Sequence, residues 1–146
     1  MTRYAHATYC DDIRQEVGGK ITLVGIYSGQ CLVPMIPCTL PKLCLALYVS
    51  ASRSKPVSSL SVSGVFAGTE VVNMVLDSNH INEIMAPSNA QNPDAKQMML
   101  VLMATMAPFN VIVPGKLTLT VTADGEDIFC EGLNISTAPE GTIFGM

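Results

Sequence analysis

A chain of 146 residues is long enough to bury about two-thirds of its unfolded surface in one core, so neither disulfides nor metal are needed to hold it together. Its composition, 49% hydrophobic and only 14% charged, excludes intrinsic disorder and implies a surface of Ser, Thr and Asn, partly buried against a partner. The net charge of −4, with eight basic residues scattered from Arg3 to Lys116, argues against a nucleic-acid backbone binder, and the absence of Trp against stacking platforms for sugars or single strands.

In chain order, Arg3 to Cys10 reads as a first strand and Lys20 to Tyr27 as a second, with Val17-Gly18-Gly19 turning between them. Asp11, Asp12, Arg14, Glu16 and Lys20 are therefore expected to crowd the end of a hairpin. Pro34, Pro37 and Pro41 forbid helix and continuous ladder pairing, so Val33 to Pro41 reads as an extended crossover. Leu43 to Val49 is apolar on both alternating sets, as a central strand covered on both faces would be.

Val57 to Phe66 turns Leu60, Val62 and Phe66 inward against Ser59, Ser61 and Ser63, and Thr69 to Leu76 returns after an Ala67-Gly68 turn. These two predict a hairpin. The stretch from Ala86 to Asp94, which contains Asn89, reads as a polar loop long enough to be functional. The next segment is ambiguous. Asn92 and Pro93 would start a helix with Met99, Leu102, Met103 and Met106 at helical spacing, whereas Met98 to Ala107 also fits a buried apolar strand. The continuation through Pro114-Gly115 favours the strand.

Lys116 to Thr122 alternates Leu117, Leu119 and Val121 with Thr118, Thr120 and Thr122, as a half-buried strand requires. Asp124-Gly125 suits a tight hairpin turn, and the return strand is expected from Asp127 to Ile135 with Phe129, Leu133 and Ile135 on one face. Gly132 marks a bulge or a close backbone approach. The fold predicted from this pattern is all-β: a single antiparallel, immunoglobulin-like β-sandwich of about eight or nine strands, with residues 1–146 as one domain.

Chemistry is sparse. Asp11 and Asp12 with Arg14 would make an acid–base pair or metal site beside an anion clamp, but neighbours on a strand point to opposite faces and converge only at a bulge. The simpler reading has the aspartates cap the turn and Arg14 pair with a carboxylate. His6 and His80 lack a nucleophile-elbow pattern. There is no phosphate-binding glycine loop and no dinucleotide fingerprint, so no cofactor is expected. Cys10, Cys31, Cys38, Cys44 and Cys130 contain no C-x-x-C pair and read as small buried hydrophobes; a metal site from Cys31, Cys38 and Cys44 matches no common zinc spacing. No apolar run approaches a membrane span and the N-terminus lacks a signal-peptide core, which predicts a cytoplasmic protein.

Cys10-Asp11-Asp12-Ile13-Arg14-Gln15-Glu16, then Gly19-Lys20-Ile21-Thr22-Leu23-Val24-Gly25-Ile26-Tyr27 and Leu40-Pro41-Lys42-Leu43, resembles a family of small uncharacterised bacterial and bacteriophage proteins. That resemblance spans about the first third of the chain. It implies a prokaryotic or phage origin and carries no activity or functional residue with it.

The function expected is therefore a non-enzymatic structural or protein-interaction module that forms a homo-oligomer or joins a larger assembly. Asp11, Asp12, Arg14, Glu16 and Asn89 are the candidate binding residues, together with Ile143 and Phe144, whose apolar tail would favour docking. The alternatives are a small-molecule binder using the loops near Asp11, Arg14 and Asn89, or a metal-assisted hydrolase using Asp11 and Asp12.

Overall fold

The computed structural model describes residues 3–142, so the tail residues Ile143 and Phe144 lie outside the described part. Within it are twelve strands and one helix. The first sheet has the order β2-β1-β5-β8, formed by β1 (Tyr4–Gln15), β2 (Ile21–Ile26), β5 (Leu43–Ser52) and β8 (Gln97–Met106), all antiparallel. The second has the order β3-β12-β10-β6-β7, with β3 (Gln30–Val33), β12 (Leu133–Thr137), β10 (Gly115–Ala123), β6 (Leu60–Phe66) and β7 (Thr69–Leu76), and β11 (Glu126–Ile128) paired to β10. A two-stranded piece joins β4 (Cys38–Leu40) to β9 (Phe109–Val111).

Alternation builds the core. Ala5, Ala7 and Tyr9 of β1 and Leu43, Leu45 and Leu47 of β5 meet Val62 of β6 and Leu117, Leu119 and Val121 of β10 in one buried cluster. At about 25 cal/mol per Å² of apolar area removed from water, this shared interior is the main stabilising term. The two hairpin turns take positive φ at Ala67 and Gly68 and at Asp124 and Gly125, which suits the glycines and Asp124 but not Ala67.

The architecture departs from the predicted eight- or nine-stranded immunoglobulin-like sandwich in strand number and in pairing: the strands fall into three sheets, and β3 lies parallel to β12. The proline-rich crossover, which starts where β3 ends at Val33, contributes one short strand, β4, because strand pairing is possible wherever proline is not the residue that must donate. The expected polar loop at 86–94 is largely helix. Helix α1 (Ser78–Gln91) begins at Asp77, whose carboxylate accepts the His80 amide, and Ile81 and Met85, one turn apart, seat it on the core. Asn92, read as a possible helix start, instead ends one.

The ambiguous segment is strand β8, buried at Met98, Leu100 and Leu102 and exposed at the alternate positions. The return strand after Asp124-Gly125 is broken. Residues 129–132 leave β10 between β11 and β12, which places Phe129 outward and 84% exposed rather than in the core. The detour brings Gly132 onto β10, where a Cβ would collide with the Leu117 carbonyl oxygen, so the expected close approach is the reason for glycine there.

Candidate interaction face and its polar edge

The outer face of the first sheet can be read off its register. Cys10 lies opposite Ile26 on one side and Cys44 on the other; Cys44 lies opposite Thr105, Ala46 opposite Met103, Tyr48 opposite Val101, and Ser50 opposite Met99. The middle of this face is made of small side chains, with Cys10, Cys44 and Ala46 fully covered by their neighbours. Larger apolar groups flank them. Val24 and Ile26 of β2 are exposed on one side, and Met99, Val101 and Met103 of β8 are 46%, 38% and 37% exposed on the other.

The outer face of the second sheet is chemically opposite. Ser61 and Ser63 of β6 lie across from Thr122 and Thr120 of β10, with Thr118 next along, so hydroxyls line its centre. Antiparallel sheets that face water on one side carry a polar set there. The second sheet follows that rule at its centre, with Val65 and Val75 exposed beside the hydroxyls; the first carries polar groups, His6, Thr8, Asp12 and Arg14, along β1 and exposes apolar ones on β2 and β8.

At the edge of the apolar face, β2 stops short of the first half of β1, and Glu131 occupies the space. Its carboxylate accepts the Ala7 amide at 2.9 Å and faces His6 Nδ1 at 3.2 Å, while the Tyr9 hydroxyl donates to the Glu131 carbonyl at 2.9 Å. Burial raises the Glu131 carboxyl pKa, but the Ala7 amide, its own amide and His6 together outweigh this and leave it below the usual range. Burial also lifts the Tyr9 hydroxyl, helped by Cys130 and Glu131, so Tyr9 stays a neutral donor. His6 Nε2 lies 3.3 Å from the Thr8 hydroxyl. These contacts clamp the 129–132 detour to β1 beside a cleft of about 310 Å³ that also meets Tyr27. Glu131 was not legible in the sequence because its main partners, His6, Ala7 and Tyr9, lie more than a hundred residues away in the chain.

The charged stretch that dominates the sequence is not a turn cluster. β1 runs straight through it, so Asp11, Asp12 and Arg14 sit on strand. Asp11 and Asp12 diverge as pleating requires: Asp11 accepts the Tyr27 hydroxyl at 2.5 Å, and Asp12 accepts Lys42 Nζ at 2.7 Å. The Lys42 ammonium holds the Asp12 carboxyl below its ordinary range. Asp11 lies over Gly25, whose φ is +68° and where any Cβ would strike the carboxylate. Glu16 accepts the Thr22 hydroxyl at 2.8 Å, and the turn closes through the Glu16 amide on the Lys20 carbonyl. Arg14, expected to pair with a carboxylate, takes part in none of the ion pairs among the described residues.

Asn89 is elsewhere. It lines a small cleft with Arg53, Ile81 and Met98, where Arg53 binds the Asn92, Pro93 and Ala95 carbonyls. Met98 pairs with Ala51 at one end of β5, whereas Cys10, beside Asp11, pairs with Cys44 near the other. Asp11, Arg14 and Asn89 therefore do not form one pocket. Among the described residues no group of three or more His, Cys, Asp or Glu converges as metal ligands, and no helix is long and apolar enough to cross a membrane.

Fold and face together define a β-rich protein whose first sheet exposes apolar side chains on β2 and β8. The chain belongs to a family described as a family of unknown function (DUF6941), whose model matches residues 5–135, from β1 to β12. No curated protein and no solved structure matches it.

Proposed function

We propose that this protein is a non-enzymatic interaction module that self-associates through the apolar outer face of its first sheet, alone or within a larger assembly. The observation that carries this reading is the outward apolar row on β8 of the first sheet. Met99, Val101 and Met103 stand exposed there, beside a floor of Cys44 and Ala46. Apolar side chains brought together on a face have a hydrophobic incentive to leave water that scattered ones lack. Resemblance of the first third to bacterial and phage proteins makes a cellular complex or a phage particle the natural setting.

Light scattering over a range of concentrations tests the reading. The wild-type chain is expected above monomer mass, Met99→Lys and Met103→Lys are expected to shift it toward monomer, and Thr120→Lys on the outer face of the second sheet is expected to leave it unchanged. A monomeric wild-type chain throughout, or equal effects of all three substitutions, would refute it.

A further inference from the structure

Within that face one element is built to meet itself. Among the described residues β8 is an edge strand: it pairs with β5 on one side and ends the sheet on the other. Unprotected edges offer a row of free amides and carbonyls to any other strand, and proteins that stay monomeric usually guard them with Lys, Pro or a bulge. β8 has none of these. Its sequence Gln97-Met98-Met99-Leu100-Val101-Leu102-Met103-Ala104-Thr105-Met106 carries neither charge nor proline, and no charged residue occurs between Lys96 and Lys116.

The middle of this strand is a palindrome. Met99-Leu100-Val101-Leu102-Met103 reads the same in both directions, and its burial follows suit, with Leu100 and Leu102 turned inward and Met99, Val101 and Met103 outward. An antiparallel strand pair between identical chains has a twofold axis, and each contact occurs twice with its partners exchanged. An axis through Val101 sets Met99 against Met103, Leu100 against Leu102, and Val101 against its own copy. Outward methionines then meet outward methionines and inward leucines meet inward leucines, with no like charges brought together at the axis.

We infer that the occupant of this edge is a second copy of the chain, paired antiparallel through Met99 to Met103 so that two four-stranded sheets become one of eight. This rests on the proposed self-association and places its contact at the β8 edge of that face, so that the two outer faces lie side by side. A five-residue ladder buries less than the roughly 800 Å² per partner of a standard interface, so a dissociation constant on the order of micromolar is expected.

The axis makes a distinctive prediction for cross-linking. Opposite residues in an antiparallel pair have Cα atoms about 4.5–5.5 Å apart, within the range a disulfide spans. Under mild oxidation with copper phenanthroline, Val101→Cys is expected to give a disulfide-linked dimer, identified by mass as residue 101 joined to its own copy. Met99→Cys alone, four residues out of register with itself, should not, whereas the double variant Met99→Cys/Met103→Cys should. Wild type treated alongside accounts for the five native cysteines. Val101→Lys, at a half-exposed position, should keep its circular dichroism and lose the dimer. An oligomeric wild type that yields neither the 101–101 nor the 99–103 link overturns the strand pairing and leaves the broader reading standing. A wild type that is monomeric from about 1 µM to about 1 mM overturns both.

Discussion

Arg3 and Asp124 form a 2.7 Å ion pair that ties the start of β1 in one sheet to the β10–β11 turn of the other. The same guanidinium donates to the carbonyls of Pro56 and Ala123, and the same carboxylate accepts the amides and hydroxyls of both Ser58 and Ser59. One residue at the head of the chain and one in a distant hairpin turn thus join three segments. Burial raises the Asp124 carboxyl pKa, but the Ser58 and Ser59 donors overcome this and hold it below its ordinary value.

Replacing Asp124 by Asn is expected to lower unfolding stability by about 2 kcal/mol, the scale of lost hydrogen bonds to a charged group. Because the folded pKa is depressed, the carboxylate's contribution is present above its unfolded pKa and is lost as pH falls through the folded one. Urea midpoints of wild type and variant should therefore differ clearly at pH 7 and converge once the pH falls below the depressed folded pKa. A gap that persists in acid would show that the carboxylate's charge is not what matters.

Gly132 marks the point where the detour touches β10. A methyl there meets the Leu117 carbonyl, a backbone atom that cannot retreat, and lies 2.9 Å from Lys116 Cε. Gly132→Ala is expected to cost about 1–3 kcal/mol as overpacking. Gly115→Ala, whose added carbon meets Phe66 Cε1 at an ordinary 3.6 Å, serves as the comparison and should be markedly milder in the same denaturation experiment.

The cysteines sort by burial. Cys10, Cys31, Cys44 and Cys130 are buried and Cys38 is only partly so. Burial pushes the Cys130 thiol up to about 11, helped by Glu131, and raises Cys10 and Cys31 as well, so few of these thiols ionise near neutrality. With a disulfide reagent at pH 8, Cys38 should label first and the other four only as the chain unfolds. Rapid native labelling of Cys10 or Cys44 would mean that the first sheet's outer face opens readily.

Helix α1 depends on its cap. The His80 amide lowers the Asp77 carboxyl pKa, outweighing desolvation, with further help from the His80 ring and the Asn79 amide. Asp77→Ala should speed hydrogen exchange at the His80 and Ile81 amides while leaving β5 and β8 protected. Equal loosening of the strands would instead tie the helix to global stability.

Much of the strand content was legible from period-two alternation. Lys116 to Thr122 and Val57 to Phe66 bury one set of side chains and wet the other, and their turns need residues that accept positive φ. Helix α1 was not, because only Ile81 and Met85 mark its buried side and Pro87, ordinarily a helix breaker, lies inside it. The candidate site was legible only in pieces. Charge density pointed to Asp11, Asp12 and Arg14, yet pleating sends the two aspartates to different partners, Tyr27 and Lys42.

By itself, the sequence determined that this would be a β protein with a shared apolar core, because alternation and turn chemistry are local properties. Only the tertiary structure decided which outward-facing residues share a surface. Ile26, Cys10, Cys44 and Met103 come from strands far apart in the chain, and sheet order and register alone place them on one apolar face. The palindrome at Met99 to Met103 is written in the sequence, but only the fold puts it on a strand that ends its sheet among the described residues.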